Sequence, residues 1–104
     1  MVKHIVLWKL KPTAEGASAA ENAARIKREL EGLVGKIPGL VQAEVGVDFN
    51  RSEAAWDLAL YSVFSDRAAL EAYQRHPTHN VVADFIARVR ADRVVVDYEV
   101  PGTP

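Results

Sequence analysis

The order in which two hydrophobic periodicities alternate along the chain is the strongest constraint on its fold. Residues 2–10, 40–48, 56–64 and 93–100 are rich in β-branched and aromatic side chains with period-two patterning, which predicts four strands. Residues 14–35 and 68–91 instead carry apolar side chains at intervals of three and four, which predicts amphipathic helices. The order βαββαβ is typical of the ferredoxin-like fold, an α+β fold in which two helices cover one face of a four-stranded antiparallel sheet.

A proline divides the second helical segment. Because proline disfavours a helical conformation in the residue before it, His76 is predicted to lie in a break between residues 68–75 and 78–91. Pro77 suits the first position of the helix that follows. The break places two of the three histidines at a helix start. We expect His76 to shape the break, and His79 either to serve a site or to bond to the backbone.

Length and composition fit one domain. The 104 residues, of which 49% are hydrophobic, are enough for a single packed core, and we expect a domain over residues 1–100 with a tail at 101–104. The absence of cysteine excludes disulfides, thiolate zinc sites and thiol nucleophiles. It also fits the reducing cytoplasm, which is the location that we predict.

The charge pattern excludes two classes of partner. Thirteen basic and fourteen acidic side chains give a net charge of −1, without the basic excess that nucleic-acid binders carry. Arg88, Arg90 and Arg93 stand among acids and are interpreted as a solvated helix face. The apolar run at the N-terminus is short and is interrupted by Lys9, so neither a signal peptide nor a membrane span is predicted. We therefore expect no nucleic-acid partner and no membrane partner.

Both faces of the predicted sheet are apolar. In the first strand His4, Val6 and Trp8 alternate with Ile5 and Leu7, and the third and fourth strands repeat the pattern. Helices cover only one face, so the other would expose an apolar patch of the kind that marks an interface. The same sheet of a second copy is the natural cover, which predicts a homodimer through the sheet face. Such surroundings also suit a small apolar or aromatic ligand.

Several motifs together resemble one known family. They are VKHIVLWKLK at the start, IPGL followed by EVG within residues 37–48, DLALYSVFSDRAALEAYQRHPTHNVV at residues 57–82, and VVVDYEV at the end. The chain resembles the stress-responsive A/B barrel (Dabb) domain family of the dimeric α+β barrel superfamily over nearly its whole length. The resemblance implies a ferredoxin-like subunit and a homodimer. Most members have no assigned activity, some are stress-induced proteins, and one plant branch contains cofactor-independent polyketide cyclases.

The resemblance also implies candidate site residues. The residues that line the pocket in the plant branch correspond by position to His4, His79 and Tyr73. Where that branch has a further histidine on the third strand and a tyrosine on the first helix, this chain has Leu58 and Leu30. These differences argue against the specific cyclase reaction and leave the pocket itself in place. Tyr73 either orients a substrate carbonyl or packs in the core.

No cofactor and no metal site are predicted. The chain has no glycine-rich phosphate loop, dinucleotide fingerprint or Ser-His-Asp pattern. His76 and His79, with His4 nearby, could supply nitrogen ligands, but Pro77 separates the first two and no cysteine or close carboxylate completes the set.

Two functional hypotheses remain. In the first, the chain is a homodimeric domain of unassigned function, related to the stress response, with a small-molecule pocket between sheet and helices. In the second, it is an acid–base enzyme, similar to a polyketide cyclase or a related lyase, that uses His79 and His4 on a small carbonyl or aromatic substrate.

Overall fold

The computed structural model describes residues 1–102, in which three helices lie on one face of a four-stranded antiparallel sheet. The elements in chain order are β1 (Val2–Leu10), β2 (Thr13–Ala14), β3 (Ala17–Ser18), α1 (Ala19–Glu31), β4 (Leu40–Val47), β5 (Leu58–Phe64), α2 (Arg67–Arg75), α3 (Pro77–Val89) and β6 (Arg90–Glu99). The predicted ferredoxin-like fold is confirmed. Of the predicted tail, residues 101–102 form no regular element, and residues 103–104 lie outside the described residues.

The sheet has the strand order β4-β5-β1-β6, so β1 is paired on both sides. Every second residue of β1 is buried, and these residues face the helices. Because paired residues share a face, the register with β6 sets Asp97 beside His4 and Arg93 beside Trp8 on the helix side. None of the described helices is long and apolar enough to cross a membrane.

The core lies between the sheet and the helices. β1 and β5 supply its floor, α1 and α3 supply most of its cover, and α2 closes one end. The buried apolar side chains include Val6, Trp8, Ile26, Leu30, Leu58, Leu60, Phe64, Leu70, Tyr73, Val82, Phe85, Ile86 and Val89. This packing holds α1, α2 and α3 over β1, where the candidate site lies.

Helix α1 begins at Ala19, so the prediction that it starts at residue 14 is wrong. The Ser18 hydroxyl accepts from the Glu21 N–H at 3.1 Å, and the Glu21 carboxylate accepts from the Ser18 N–H at 3.0 Å. This capping box satisfies two backbone donors at that point and fixes the helix start. The preceding residues form the β2–β3 hairpin, whose turn contains Glu15 and Gly16 at positive φ.

Strand β6 begins at Arg90, three residues before the predicted start. Arg90 pairs with Leu10, and the Lys11 N–H donates to the Val89 carbonyl at 2.9 Å. These contacts end α3 and start β6 without an intervening loop. The third predicted strand begins at Leu58 in the structure, two residues later than expected.

The predicted break between α2 and α3 is confirmed at His76. This residue is extended, with φ −72° and ψ 130°, and its Nδ1 accepts from the Thr78 N–H at 3.1 Å. Pro77 is the first residue of α3. His76 therefore acts as the N-cap of α3, in agreement with the structural role expected for it.

The outer face of the sheet carries apolar side chains without a helix over them. Val94, Val96 and Tyr98 pair with Leu7, Ile5 and Lys3, which point away from the helices. The first three are between 42% and 53% exposed.

Two glycines with the same backbone conformation give a matched test of packing against α2. Gly39 and Gly35 have φ of 85° and 86°, but a Cβ on Gly39 would lie 2.5 Å from the Cβ of Ala69, whereas Gly35 has nothing within 4 Å. Gly35→Ala should introduce only the strain of a left-handed alanine and should lower the unfolding free energy by about 1–2 kcal/mol. Gly39→Ala should lower the unfolding free energy, measured by urea unfolding, by clearly more, because Ala69 must also move. Equal losses would contradict this close approach.

Candidate functional site

A cavity of about 270 Å³ lies between the sheet and the helices. Its walls are mainly apolar, and several polar groups converge on it, as is usual for small-molecule sites. The lining consists of His4, Val6, Trp8, Leu30, Leu60, Tyr73, His79, Ala83, Ile86, Ala87, Arg90 and Arg93. Every residue that the sequence predicted for the site is therefore in this cavity.

His4 is held by a carboxylate from the neighbouring strand. Its side chain is 5% exposed, and its Nδ1 contacts Oδ1 of Asp97, which is 42% exposed. A carboxylate accepts hydrogen bonds, so this contact favours the tautomer with the proton on Nδ1. Nε2 of His4 then carries the lone pair that can take a proton from another molecule.

His79 is the third residue of α3 and contributes a neutral imidazole. Its Nδ1 is buried and has no hydrogen-bond partner among residues 1–102. Burial is the main cause of a pKa below the ordinary value of 6.5. A side-chain interaction with Asn80 opposes that shift, and the charges of His4 and Arg93 add to it. A neutral imidazole near neutral pH is suited to accept or donate a proton.

Tyr73 lies next to both histidines. Its ring centroid is 4.1 Å from that of His79 and 6.4 Å from that of His4, and it packs against Phe64 at 4.8 Å. Burial raises the pKa of Tyr73 to about 12, so its hydroxyl stays neutral at any physiological pH. The structure thus brings His4, Tyr73 and His79 together, and their roles in chemistry stay predictions.

Trp8 supplies a polar group that the sequence did not single out. Its side chain lies in the cavity wall, and its indole Nε1 is buried without a hydrogen-bond partner in the described residues. An unpaired buried donor costs about 1–3 kcal/mol of folding free energy.

Arg90 and Arg93 also line the cavity, and their assignment to a solvated helix face is wrong. Both belong to β6, and Arg93 lies beside Trp8 on the helix side of the sheet. The assignment is right for Arg88, which lies on α3 and pairs with Glu15 at 2.7 Å. For Arg93 the predicted strand over residues 93–100 already contradicted a helix face, and Arg90 was misassigned because β6 begins three residues before the predicted start.

A second depression, of about 670 Å³, lies between α1 and the start of α3. It is lined by Arg28, Lys36 and Val81 among others, and it contains no histidine. Neither of the buried unpaired polar atoms lies there. No group of three or more His, Asp or Glu side chains within residues 1–102 is arranged to hold a metal ion.

Comparison with known proteins supports a common family. The family model of the stress responsive A/B barrel domain matches residues 2–100. A dimeric protein of unknown function with a ferredoxin-like fold from Bacteroides fragilis is 34% identical, with a TM-score of 0.81 over 95% of each chain. A dimeric ferredoxin-like protein of unknown function from Jannaschia is 30% identical, with a TM-score of 0.73 over 95% of this chain and 98% of that chain.

Two of the similar structures carry enzyme names, a hydroxynitrile lyase and an antibiotic biosynthesis monooxygenase. The hydroxynitrile lyase from Passiflora edulis has a TM-score of 0.79 over 98% of this chain and 94% of its own, at 21% identity. At that identity the likeness shows the fold alone. No curated protein sequence matches the chain significantly.

The lowered pKa of His79 predicts a specific acid sensitivity. The unfolded chain gains a proton on this residue near pH 6.5, whereas the folded chain resists it. Stability that depends on neutral His79 is therefore present above about pH 6.5 and is lost as the pH falls toward the lower folded pKa. When the pH falls from about 7.5 to about 5.5, the melting temperature of His79→Gln should decrease by less than that of the wild type.

His76→Asn is the control for this measurement. It removes a histidine from the same helix start and keeps a side chain that is a good N-cap. Identical pH dependence in wild type and His79→Gln would contradict the buried, neutral state of His79.

Proposed function

The chain belongs to the stress-responsive A/B barrel (Dabb) family, and from that premise we propose that it is a homodimeric domain that binds a small molecule in the central cavity. The ligand has an apolar body and a polar end that carries a hydrogen-bond acceptor. We further propose that this binding takes part in a stress response, as the description of the family suggests.

One observation carries the proposal: two residues that line the same small cavity each have a buried polar atom without a hydrogen-bond partner in the described residues. These atoms are Nε1 of Trp8 and Nδ1 of His79. Buried polar groups in folded proteins are nearly always hydrogen-bonded, so two exceptions in one cavity call for a partner. A ligand that accepts from the indole and bonds to the imidazole satisfies both. Leu30, Leu60 and Ile86 would surround its apolar part.

The homodimer is supported by two independent findings. The similar proteins from Bacteroides fragilis and Jannaschia are dimeric. The outer sheet face of this chain exposes Val94, Val96 and Tyr98 in one row along β6. Packing of this face against the same face of a second copy would remove the row from water and leave the cavity on the opposite face free.

A second candidate function, acid–base catalysis on a small carbonyl compound, is favoured by the contact between His4 and Asp97. A histidine that is oriented by a carboxylate is a common general base, because the carboxylate fixes the tautomer and stabilises the imidazolium that forms. His79 would act as the partner acid or base. Leu30 lines the cavity where the resemblance implies a tyrosine in the plant cyclases, which argues against their specific reaction.

Exchange of the α-deuterons of deuterated phenylacetone separates the two candidates. An enzyme of this kind would accelerate exchange by about 10²–10⁴-fold through general acid–base catalysis, and His4→Gln would lose the effect. The absence of acceleration by the wild type would leave binding as the function.

Binding itself is tested with phenylacetamide, a neutral single-ring compound with a carbonyl acceptor. His79→Ala should weaken its affinity by about three- to tenfold in an NMR titration, because one hydrogen bond contributes about 0.5–1.5 kcal/mol. His76→Ala should keep the affinity and instead lower the unfolding free energy by about 0.5–2 kcal/mol through loss of the N-cap.

Sedimentation equilibrium of both variants provides the control that the dimer is intact. Unchanged affinity in His79→Ala would contradict a ligand that contacts this residue. An equal loss in His76→Ala and His79→Ala would mean that the helix start as a whole, and not the His79 ring, determines binding.

A further inference from the structure

The charge on the cavity wall is one-sided. Two of the lining residues are arginines, Arg90 and Arg93, and no aspartate or glutamate is among the described residues that line the cavity. The carboxylate of Asp97 is in contact with Nδ1 of His4. The positive charge of the cavity wall therefore comes from Arg90 and Arg93, and no carboxylate among the lining residues offsets it.

The two arginines are unpaired within residues 1–102. Neither Arg90 nor Arg93 forms an ion pair there, whereas Arg88, close to them in sequence, pairs with Glu15 at 2.7 Å. Arg90 is half-buried at the junction of α3 and β6, where its charge is less screened than on an open surface. Guanidinium groups bind carboxylates in a planar, two-pronged geometry that ammonium groups do not match.

The cavity is also small. An apolar cavity of about 150 Å³ holds benzene, so a volume of about 270 Å³ accommodates one ring with a short side chain. The apolar wall and the size together exclude a highly charged or extended molecule from full burial.

From these features we propose that the ligand is a small monocarboxylate anion with an apolar body of about one ring. Its carboxylate binds Arg90 and Arg93 at the cavity mouth, and its body lies against Leu30, Leu60 and Ile86. The remaining polar contacts fall to Trp8 and His79. This inference rests on the proposed binding function, because it names the chemical class of the ligand for the same cavity.

The test compares phenylacetate with phenylacetamide, two compounds of nearly equal size that differ in charge. In NMR titrations of the full chain, phenylacetate should bind at least about tenfold more tightly, because hydrogen bonds between charged groups are about twice as strong as neutral ones. Arg90→Gln and Arg93→Gln should each reduce this preference and should affect phenylacetamide little. Arg88→Gln, which removes a nearby arginine that pairs outside the cavity, should keep the preference.

The outcomes separate the charge inference from the binding function. Equal affinity of both compounds, with His79 signals that shift in both titrations, would contradict the inference that the ligand is a carboxylate. The proposal that the cavity binds a small molecule would still stand. A preference for phenylacetate that survives both Arg90→Gln and Arg93→Gln would also overturn the proposal, since the charge would be recognised elsewhere. Failure of both compounds to bind at millimolar concentration would contradict the pocket and the carboxylate together.

Discussion

The pairing of β1 with both β5 and β6 is the interaction on which the rest of the structure depends. The inward side chains of β1 form the floor of the core, and the helices pack over that floor. Because β1 is central, its register decides which residues of the neighbouring strands meet it. The register sets the Ser62 hydroxyl to donate to the His4 carbonyl at 2.7 Å, and it sets Asp97 beside the His4 ring. The register of β1 therefore positions both the core and the candidate site.

The parts of the structure that were predictable from sequence are those that local patterns determine. The alternation of β1 and the restriction that Pro77 places on His76 act over a few residues, and both are found where expected. The start of α1 was locally encoded too, in the spacing of Ser18 and Glu21, but the alanine-rich sequence on both sides extends the helical pattern past it. Asp97 could not be found this way, because its contact with His4 joins residues 93 positions apart through the sheet register.

The candidate site combines several polar groups that have no partner among the described residues. A buried indole N–H lacks a partner, a buried imidazole stays neutral, and two arginines lack acidic partners in the described residues. Local departures of this kind concentrate at functional sites, because stability elsewhere in the fold tolerates them. The apolar row on the outer face is a separate departure on the opposite side of the sheet. In our proposal the outer face of the sheet forms the homodimer interface, and the cavity on the helix side binds a small carboxylate.

The most direct test of this account is the state of the imidazole nitrogens, measured by long-range ¹H–¹⁵N correlation at neutral pH with and without phenylacetate. We predict that Nδ1 of His4 carries a proton, that His79 is neutral, and that the signals of both rings shift when phenylacetate is added. A His4 with its proton on Nε2 would contradict the role of Asp97. Shifts confined to His76, or absent from both cavity histidines, would contradict a ligand site between the sheet and the helices.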